Sequence, residues 1–169
     1  MDFYLERVEQ AISRATQGMA IAQLSRRPQE GKWSAAEILE HLSLTYSGTA
    51  KAMERCLTAG QPTANLPTLK DRVATVVVVG LGHMPQGREA PAVTRPRGAA
   101  PEESLPVLLR SLAEMDELIT RCEQKFGKRR RIVNHPVLGP LTARQWRKFL
   151  WVHARHHAQQ IERLHPVLL

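Results

Sequence analysis

The sequence predicts an all-α protein, a four-helix bundle with a short extra helix and a long crossover rich in proline and glycine. Four segments place apolar residues at alternating spacings of three and four, as helices with one buried face do. Two of these helices begin with a capping box, and no segment has the roughly 18 consecutive apolar residues of a membrane span. The length of 169 residues suits one domain, so residues 1–169 are expected to form a single helical bundle.

The first helix is predicted over residues 3–24, where one apolar or small residue follows another at helical spacing. This stripe consists of Leu5, Val8, Ile12, Ala15, Met19 and Ala22. Pro28 and Gly31 interrupt the pattern, and because both residues disfavour a helix interior, they mark a connection to the next helix.

The second helix is predicted to begin at Ser34. Ser34 and Glu37 have the spacing of a capping box, in which each side chain bonds the backbone N–H of the other residue. The apolar pattern continues to about Leu57, and Gly60 and Pro62 end the helix.

Residues 68–82 admit two interpretations. Four consecutive valines favour a strand by intrinsic propensity, but a single strand would have no partner in an otherwise helical protein. We therefore expect a helix there. Residues 83–101 contain four prolines and show no periodicity, which predicts a long crossover.

The third helix is predicted over residues 102–126, and the fourth begins at Thr142. Thr142 and Gln145 repeat the capping box of the second helix. The fourth helix is expected to end at His165-Pro166. Its inner stripe comprises Trp146, Phe149, Leu150, His153, His157, Gln160, Ile161 and Leu164.

Charge and cysteine content narrow the function classes. Lys and Arg exceed Asp and Glu by 24 to 16, and a basic block lies within residues 125–131. A solvated loop between helices is the favoured interpretation of this block. It has no interleaved aromatic residues to stack on bases, so nucleic acid is not expected as a partner. Cys56 and Cys122 are expected to be small core residues.

The acidic start of the chain resembles no export signal. This predicts a cytoplasmic protein without a membrane anchor.

The candidate functional site begins with His153 and His157. They lie one turn apart on the buried stripe of the fourth helix, about 5–6 Å apart at Cβ, so both rings can reach one metal ion. Two such histidines are about as often core residues as ligands. His41, in the second turn of the second helix, is the best third ligand if the two helices start at the same end of the bundle, and it favours metal binding.

The remaining histidines are weaker candidates. His83 and His135 precede or adjoin prolines in predicted loops, where a role in a turn is expected. Gln160 lies one turn past His157 and is a candidate for a hydrogen bond that orients a ligand ring. His156 has three open roles: orienting a ligand ring, binding an anion or facing solvent. No HExxH motif of a zinc protease is present.

Two motifs resemble a known family. The run "GKWSAAEILEHL", followed much later by "HPVLGPLTARQWRKFLWVHARHHAQQIERL", is similar to the DinB/YfiT-like superfamily of metal-binding four-helix bundles. The resemblance implies a divalent metal ion (Ni, Zn or Fe) held by His41, His153 and His157. It also implies a helix over 68–82 and a homodimer.

Two classes of function remain open at this point. Some relatives are thiol-dependent S-transferases or isomerases, so a metal-dependent transferase or hydrolase acting on a small thiol or anionic substrate is the first expectation. The alternative is a non-catalytic bundle that a metal stabilises and that serves as a dimeric scaffold or interaction module.

Overall fold

The protein is described by a computed structural model that covers residues 1–85, 87 and 89–165. The helices are α1 (Phe3–Thr16), α2 (Ile21–Ser25), α3 (Ala35–Ala59), α4 (Leu69–Thr75), α5 (Pro101–Phe126) and α6 (Ala143–Glu162). The strands are β1 (Arg131–His135) and β2 (Gly139–Thr142). A π-helical turn, Val76–Gly80, continues α4, and a 3₁₀ turn, Ala92–Thr94, lies in the crossover.

The four long helices form the bundle as two pairs, α1 with α6 and α3 with α5. Helices α3 and α5 are parallel, because Ser47 contacts Ser111 near their middles while the Lys125 side chain bonds the Leu57 carbonyl near their C-terminal ends. Helices α1 and α6 are also parallel. Arg147 pairs with Asp2 at their first ends, and the His165 ring reaches the Ala15 carbonyl at their last ends.

The two pairs run in opposite directions, which corrects one assumption made from the sequence. The Cys56 thiol, near the end of α3, lies 3.6 Å from the Ile132 carbonyl in the strand pair that leads into α6. The end of α3 is therefore next to the start of α6, so the condition assumed for His41, that these two helices start at the same end, is not met. Periodicity along one helix carries no information on its direction relative to another.

Both predicted capping boxes are present. The Ser34 backbone N–H donates to the Glu37 carboxylate at 2.8 Å, and the Glu37 N–H donates to the Ser34 hydroxyl at 3.2 Å. Thr142 and Gln145 exchange the corresponding bonds at 2.9 and 3.3 Å. These bonds satisfy backbone donors that have no partner inside a helix, and they fix where α3 and α6 begin.

The predicted helix over 3–24 is wrong as a single element. Helix α1 ends at Thr16, Gly18 has a φ of +77°, and the separate helix α2 follows. A left-handed glycine turns the chain out of the helical path, and glycine costs roughly 1 kcal/mol in a helix interior. The other long helices agree with expectation, since α3 ends at Ala59 before Gly60 and α5 covers Pro101–Phe126.

The segment 68–82 is helical over residues 69–80, as expected. A third capping box joins Thr68 and Asp71 at the start of α4. The valine run forms the π-helical turn, in which Val78 and Val79 are buried. The predicted crossover over 83–101 follows. Two of its residues, 86 and 88, lie outside the described part of the chain. Pro166, at the predicted end of the fourth helix, also lies outside it.

The antiparallel hairpin of β1 and β2 was not expected from the sequence. It connects α5 to α6 and buries apolar side chains on the end of the bundle, namely Ile132, Val133, Leu138 and Leu141. The basic residues before it are exposed, which agrees with the interpretation of a solvated block.

The core contains the apolar faces of all four long helices. Cys56 and Cys122 are fully buried in it as free thiols, as expected for small core residues. Within the described ranges, no helix combines the length and apolar character needed to cross a bilayer.

Candidate metal centre

Three histidine side chains converge between α3 and α6. His41 lies in the second turn of α3, and His153 and His157 lie one turn apart in the second half of α6. The Nε2 atom of His153 is 3.4 Å from that of His41 and 3.0 Å from that of His157. The opposed helix directions still bring them together, because His41 is near the start of α3 and the pair is near the end of α6.

The environment keeps these rings neutral. His41 and His157 are only 6% and 7% exposed. Burial lowers the pKa of His41, and burial together with the neighbouring His41 ring lowers the pKa of His157 to about 3. Burial and the surrounding imidazoles hold the pKa of His153 well below its usual value. A neutral imidazole has one nitrogen with a free lone pair, which is the form that binds metals.

A backbone carbonyl orients His41. Its Nδ1–H donates to the Thr94 carbonyl oxygen at 2.8 Å, in the 3₁₀ turn of the crossover. Because a carbonyl can only accept, the proton is on Nδ1 and the lone pair is on Nε2. Sequence reasoning missed this contact. Any residue type supplies a backbone carbonyl, so position 94 has no sequence signal for it.

Gln160 orients His157. The Nδ1–H of His157 donates to the Gln160 side-chain carbonyl at 2.7 Å, and the Gln160 amide lies 3.2 Å from Nε2 of His156. Gln160 therefore contacts a ring of the triad at the position expected of a group that orients a ligand. His156 bonds Gln160, and its own ring lies edge-on to His157 at 5.2 Å.

His153 is held by packing. The Phe149 ring stacks on it with centroids 5.4 Å apart, and the Trp33 ring packs on His41 at 5.1 Å. The Nδ1 atom of His153 is buried without a hydrogen-bond partner. The three ring centroids are 4.7, 4.9 and 5.3 Å apart, so the imidazoles form a triangle, and His153 meets the other two with its Nε2 side.

The other sequence candidates lie outside the triad. His135 has the turn role expected of it, since its Nδ1 accepts the backbone N–H groups of Val137 and Leu138 at 3.1 Å. His83 is exposed. Glu37, the carboxylate one helical turn before His41, is bonded in its capping box and in an ion pair with Arg27.

The triad fits a divalent ion on its own geometry. One ring nitrogen from each residue lies within 4.8 Å of the other two, and no other group of three His, Cys, Asp or Glu side chains in the described part of the chain meets that condition. In a tetrahedral site with metal–nitrogen bonds near 2.0–2.1 Å, ligand nitrogens are roughly 3.3 Å apart. The separations of 3.0 and 3.4 Å are close to that value.

Comparisons with known proteins agree with this fold. The sequence matches the DinB superfamily over residues 4–161. Among solved structures, the chain is similar to YfiT from Bacillus subtilis, described as "a probable metal-dependent hydrolase with an unusual four-helix bundle topology". The two share 22% identity with a TM-score of 0.58, over 96% of this chain and 82% of YfiT. No curated protein sequence matches the chain. The predicted all-α four-helix bundle is confirmed.

Proposed function

The chain belongs to the DinB superfamily, and from that membership and the histidine triad we propose that it binds one divalent metal ion through His41, His153 and His157. We further propose that it uses the ion in a hydrolytic or thiol-transfer reaction. The observation that carries the proposal is the convergence of the three Nε2 atoms, with His153 3.0 and 3.4 Å from the other two.

The donor set favours a transition metal. Three neutral imidazoles suit Zn, Ni or Fe, whereas Mg and Ca prefer carboxylate and carbonyl oxygens. The hydrogen bonds of His41 to Thr94 and of His157 to Gln160 support the assignment, because ligand histidines usually donate their second ring N–H to such acceptors. Elemental analysis of the purified protein distinguishes Zn, Ni and Fe.

The reaction class follows from the open positions of such a site. Three protein ligands leave at least one position for water or substrate, and a bound divalent ion lowers the pKa of a water or thiol there. The chain's own residues orient the ligand rings, and the rings of Trp33 and Phe149 pack on His41 and His153. The net charge of +8 favours an anionic substrate, and a small thiol is the nucleophile that the family resemblance implies.

Metal analysis tests the site directly. We expect the purified protein to contain one ion per chain, and the double variant His153→Ala, His157→Ala to contain none. The exchange His83→Ala serves as the matched control, since His83 is an exposed histidine that lies outside the triad. Equal metal content in wild type and double variant, or no metal in either after loading with Zn²⁺ or Ni²⁺, contradicts the proposal.

Cobalt substitution tests the reaction class. A Co²⁺-loaded protein is expected to change its visible spectrum when a small thiol is added, because a thiolate occupying an open position alters the ligand field. A panel of thiols with electrophiles, and of esters and amides for hydrolysis, then reports turnover. Metal binding without spectral response or turnover would favour the metal-stabilised scaffold instead.

The homodimer is a separate proposal. It rests on the family resemblance, and size-exclusion chromatography with light scattering of the metal-loaded protein tests it. A mass near 38 kDa, twice the 19.0 kDa of one chain, is expected. A mass of one chain at micromolar concentration would contradict it.

A further inference from the structure

The residue before the first histidine of the triad binds three consecutive backbone amides of the crossover. The Glu40 carboxylate accepts the N–H of Arg97 at 2.9 Å, of Gly98 at 3.1 Å and of Ala99 at 3.0 Å. Successive amides that point the same way form a nest for an anion, and the φ of +88° at Gly98 supplies the left-handed conformation that a nest requires. Glu40 therefore docks this end of the crossover on α3.

The adjacent residue of α3 docks the preceding part of the same segment. His41 donates from Nδ1 to the Thr94 carbonyl at 2.8 Å, three positions before Arg97. Two neighbouring residues of α3 thus hold the two ends of residues 94–99. Arg95 also bonds the Ala90 carbonyl, but that contact lies within the crossover and does not attach it to the bundle.

We propose that Glu40 is a positioning residue for the histidine triad: it fixes residues 94–99 so that the Thr94 carbonyl stays on Nδ1 of His41. This inference rests on the proposed metal-binding function. A neutral imidazole can carry its single proton on either nitrogen, and the acceptor at one nitrogen decides which is free. With the carbonyl in place, the free lone pair of His41 is on Nε2, which faces His153.

The Thr94 carbonyl needs this support because the crossover that follows it has no regular secondary structure to hold it in place. Residues 95–100 contain no helix or strand, and most of them are exposed. The three bonds to Glu40 are charge-assisted, since the acceptor is a carboxylate, and such bonds are stronger than those between neutral groups. Loss of the carboxylate would free the segment next to Thr94 while leaving the three imidazoles in the chain.

Zinc affinity in three variants tests the proposal. Glu40→Ala is expected to weaken Zn²⁺ binding about threefold to tenfold, less than the roughly 10–100-fold effect of removing a direct partner of a ligand. Glu40→Gln retains one acceptor oxygen and is expected to fall between wild type and Glu40→Ala. The control Glu54→Ala removes an exposed carboxylate from the same helix and is expected to leave the affinity unchanged.

A substitution in the crossover itself disrupts the nest without altering α3. Gly98→Ala forces a side chain into a positive-φ position, and no atom lies within 4 Å of the added Cβ, so its effect reflects backbone strain and not a clash. It is expected to weaken Zn²⁺ binding in the same direction as Glu40→Ala. Unchanged affinity in both variants overturns the proposal.

Histidine tautomers give a readout that general destabilisation would not change. Long-range ¹H–¹⁵N spectra of the metal-free protein are expected to show His41 protonated at Nδ1 in wild type and as a mixture of tautomers in Glu40→Ala. An unchanged tautomer in the variant overturns the inference. This measurement requires no metal, so it decides the role of Glu40 even if the wild-type protein binds no Zn²⁺ and the proposed function fails.

Discussion

His157 donates its Nδ1–H to the side-chain carbonyl of Gln160, three residues further along α6, at 2.7 Å. The same amide group contacts His156 through its nitrogen at 3.2 Å, so one side chain links the ligand candidate to the ring beside it. The oxygen of Gln160 is thereby directed at His157. This bond fixes the proton of His157 on the nitrogen that faces away from the triad.

Replacing Gln160 is expected to affect the affinity for metal more strongly than the free energy of unfolding. Gln160→Leu removes the acceptor, so His157 loses its fixed ring orientation, and the dissociation constant for Zn²⁺ should rise about 10–100-fold. Gln160→Glu keeps an acceptor and should retain tight binding. Chelator competition measures both. Gln159→Leu, at the exposed neighbouring position, is the control, and equal affinity of the two leucine variants would contradict the role given to Gln160.

Arg147 is expected to be a major contributor to stability. It is only 7% exposed, and its guanidinium bonds the Glu123 carboxylate at 2.7 Å and the Thr120 hydroxyl at 3.0 Å. It also lies 3.5 Å from the Asp2 carboxylate, so it connects the ends of α1, α5 and α6. Its removal leaves these half-buried acceptors without their donor.

Arg147→Ala should lower the free energy of unfolding by about 2–4 kcal/mol, as expected when one partner of a buried ion pair is removed. The control Arg144→Ala, at an exposed position of α6, should change it by less than about 0.5 kcal/mol. Urea unfolding monitored by circular dichroism measures both. Similar values for the two variants would show that Arg147 contributes no more than a surface charge.

The site could be predicted from the sequence where the type and spacing of side chains indicate it. His41, His153 and His157 were identified because imidazoles are costly on a buried stripe, and the capping boxes at Ser34 and Thr142 located each along its helix. Whether these residues bind a metal stays a prediction. Periodicity specifies which face of a helix is buried but not which way the helix runs, so the relative direction of α3 and α6 was assumed wrongly.

Other features had weak or no local signals. The hairpin strands are four and five residues long, and β2 contains Pro140, so their pattern is too short to distinguish from a loop. The break after Thr16 depends on a single glycine in a continuous apolar stripe. The contact of His41 with Thr94 uses a backbone atom, and only tertiary structure brings that atom to the ring.

Both cysteine thiols are expected to be unreactive in the folded protein. Cys56 and Cys122 are fully buried, and burial raises the pKa of Cys122 to about 11. The thiolate is the reactive form and neither sulfur is accessible, so both cysteines should react very slowly with Ellman's reagent at about pH 8. Two thiols per chain should react in denaturant. Rapid reaction of the native protein would show that this part of the core opens readily.

Protonation of His135 is expected to lower the free energy of unfolding in mild acid. Burial lowers its pKa to about 4, from an ordinary value of 6.5. Below pH 6.5 the unfolded chain binds a proton at this residue that the folded protein does not accept until about pH 4. The stabilising contribution is therefore complete above pH 6.5 and is lost as the pH falls from 6.5 towards 4, by about 2–3 kcal/mol in all.

His135→Asn separates this titration from the turn. An asparagine oxygen can take the place of Nδ1 and accept the N–H groups of Val137 and Leu138, but it does not titrate. The variant loses the ring contact with Phe149, so it should be less stable than wild type at pH 7. The difference in unfolding free energy between them should shrink by about 2–3 kcal/mol from pH 7 to pH 4.5 in the presence of chelator. A difference that stays constant over that range would mean that His135 does not carry the acid sensitivity.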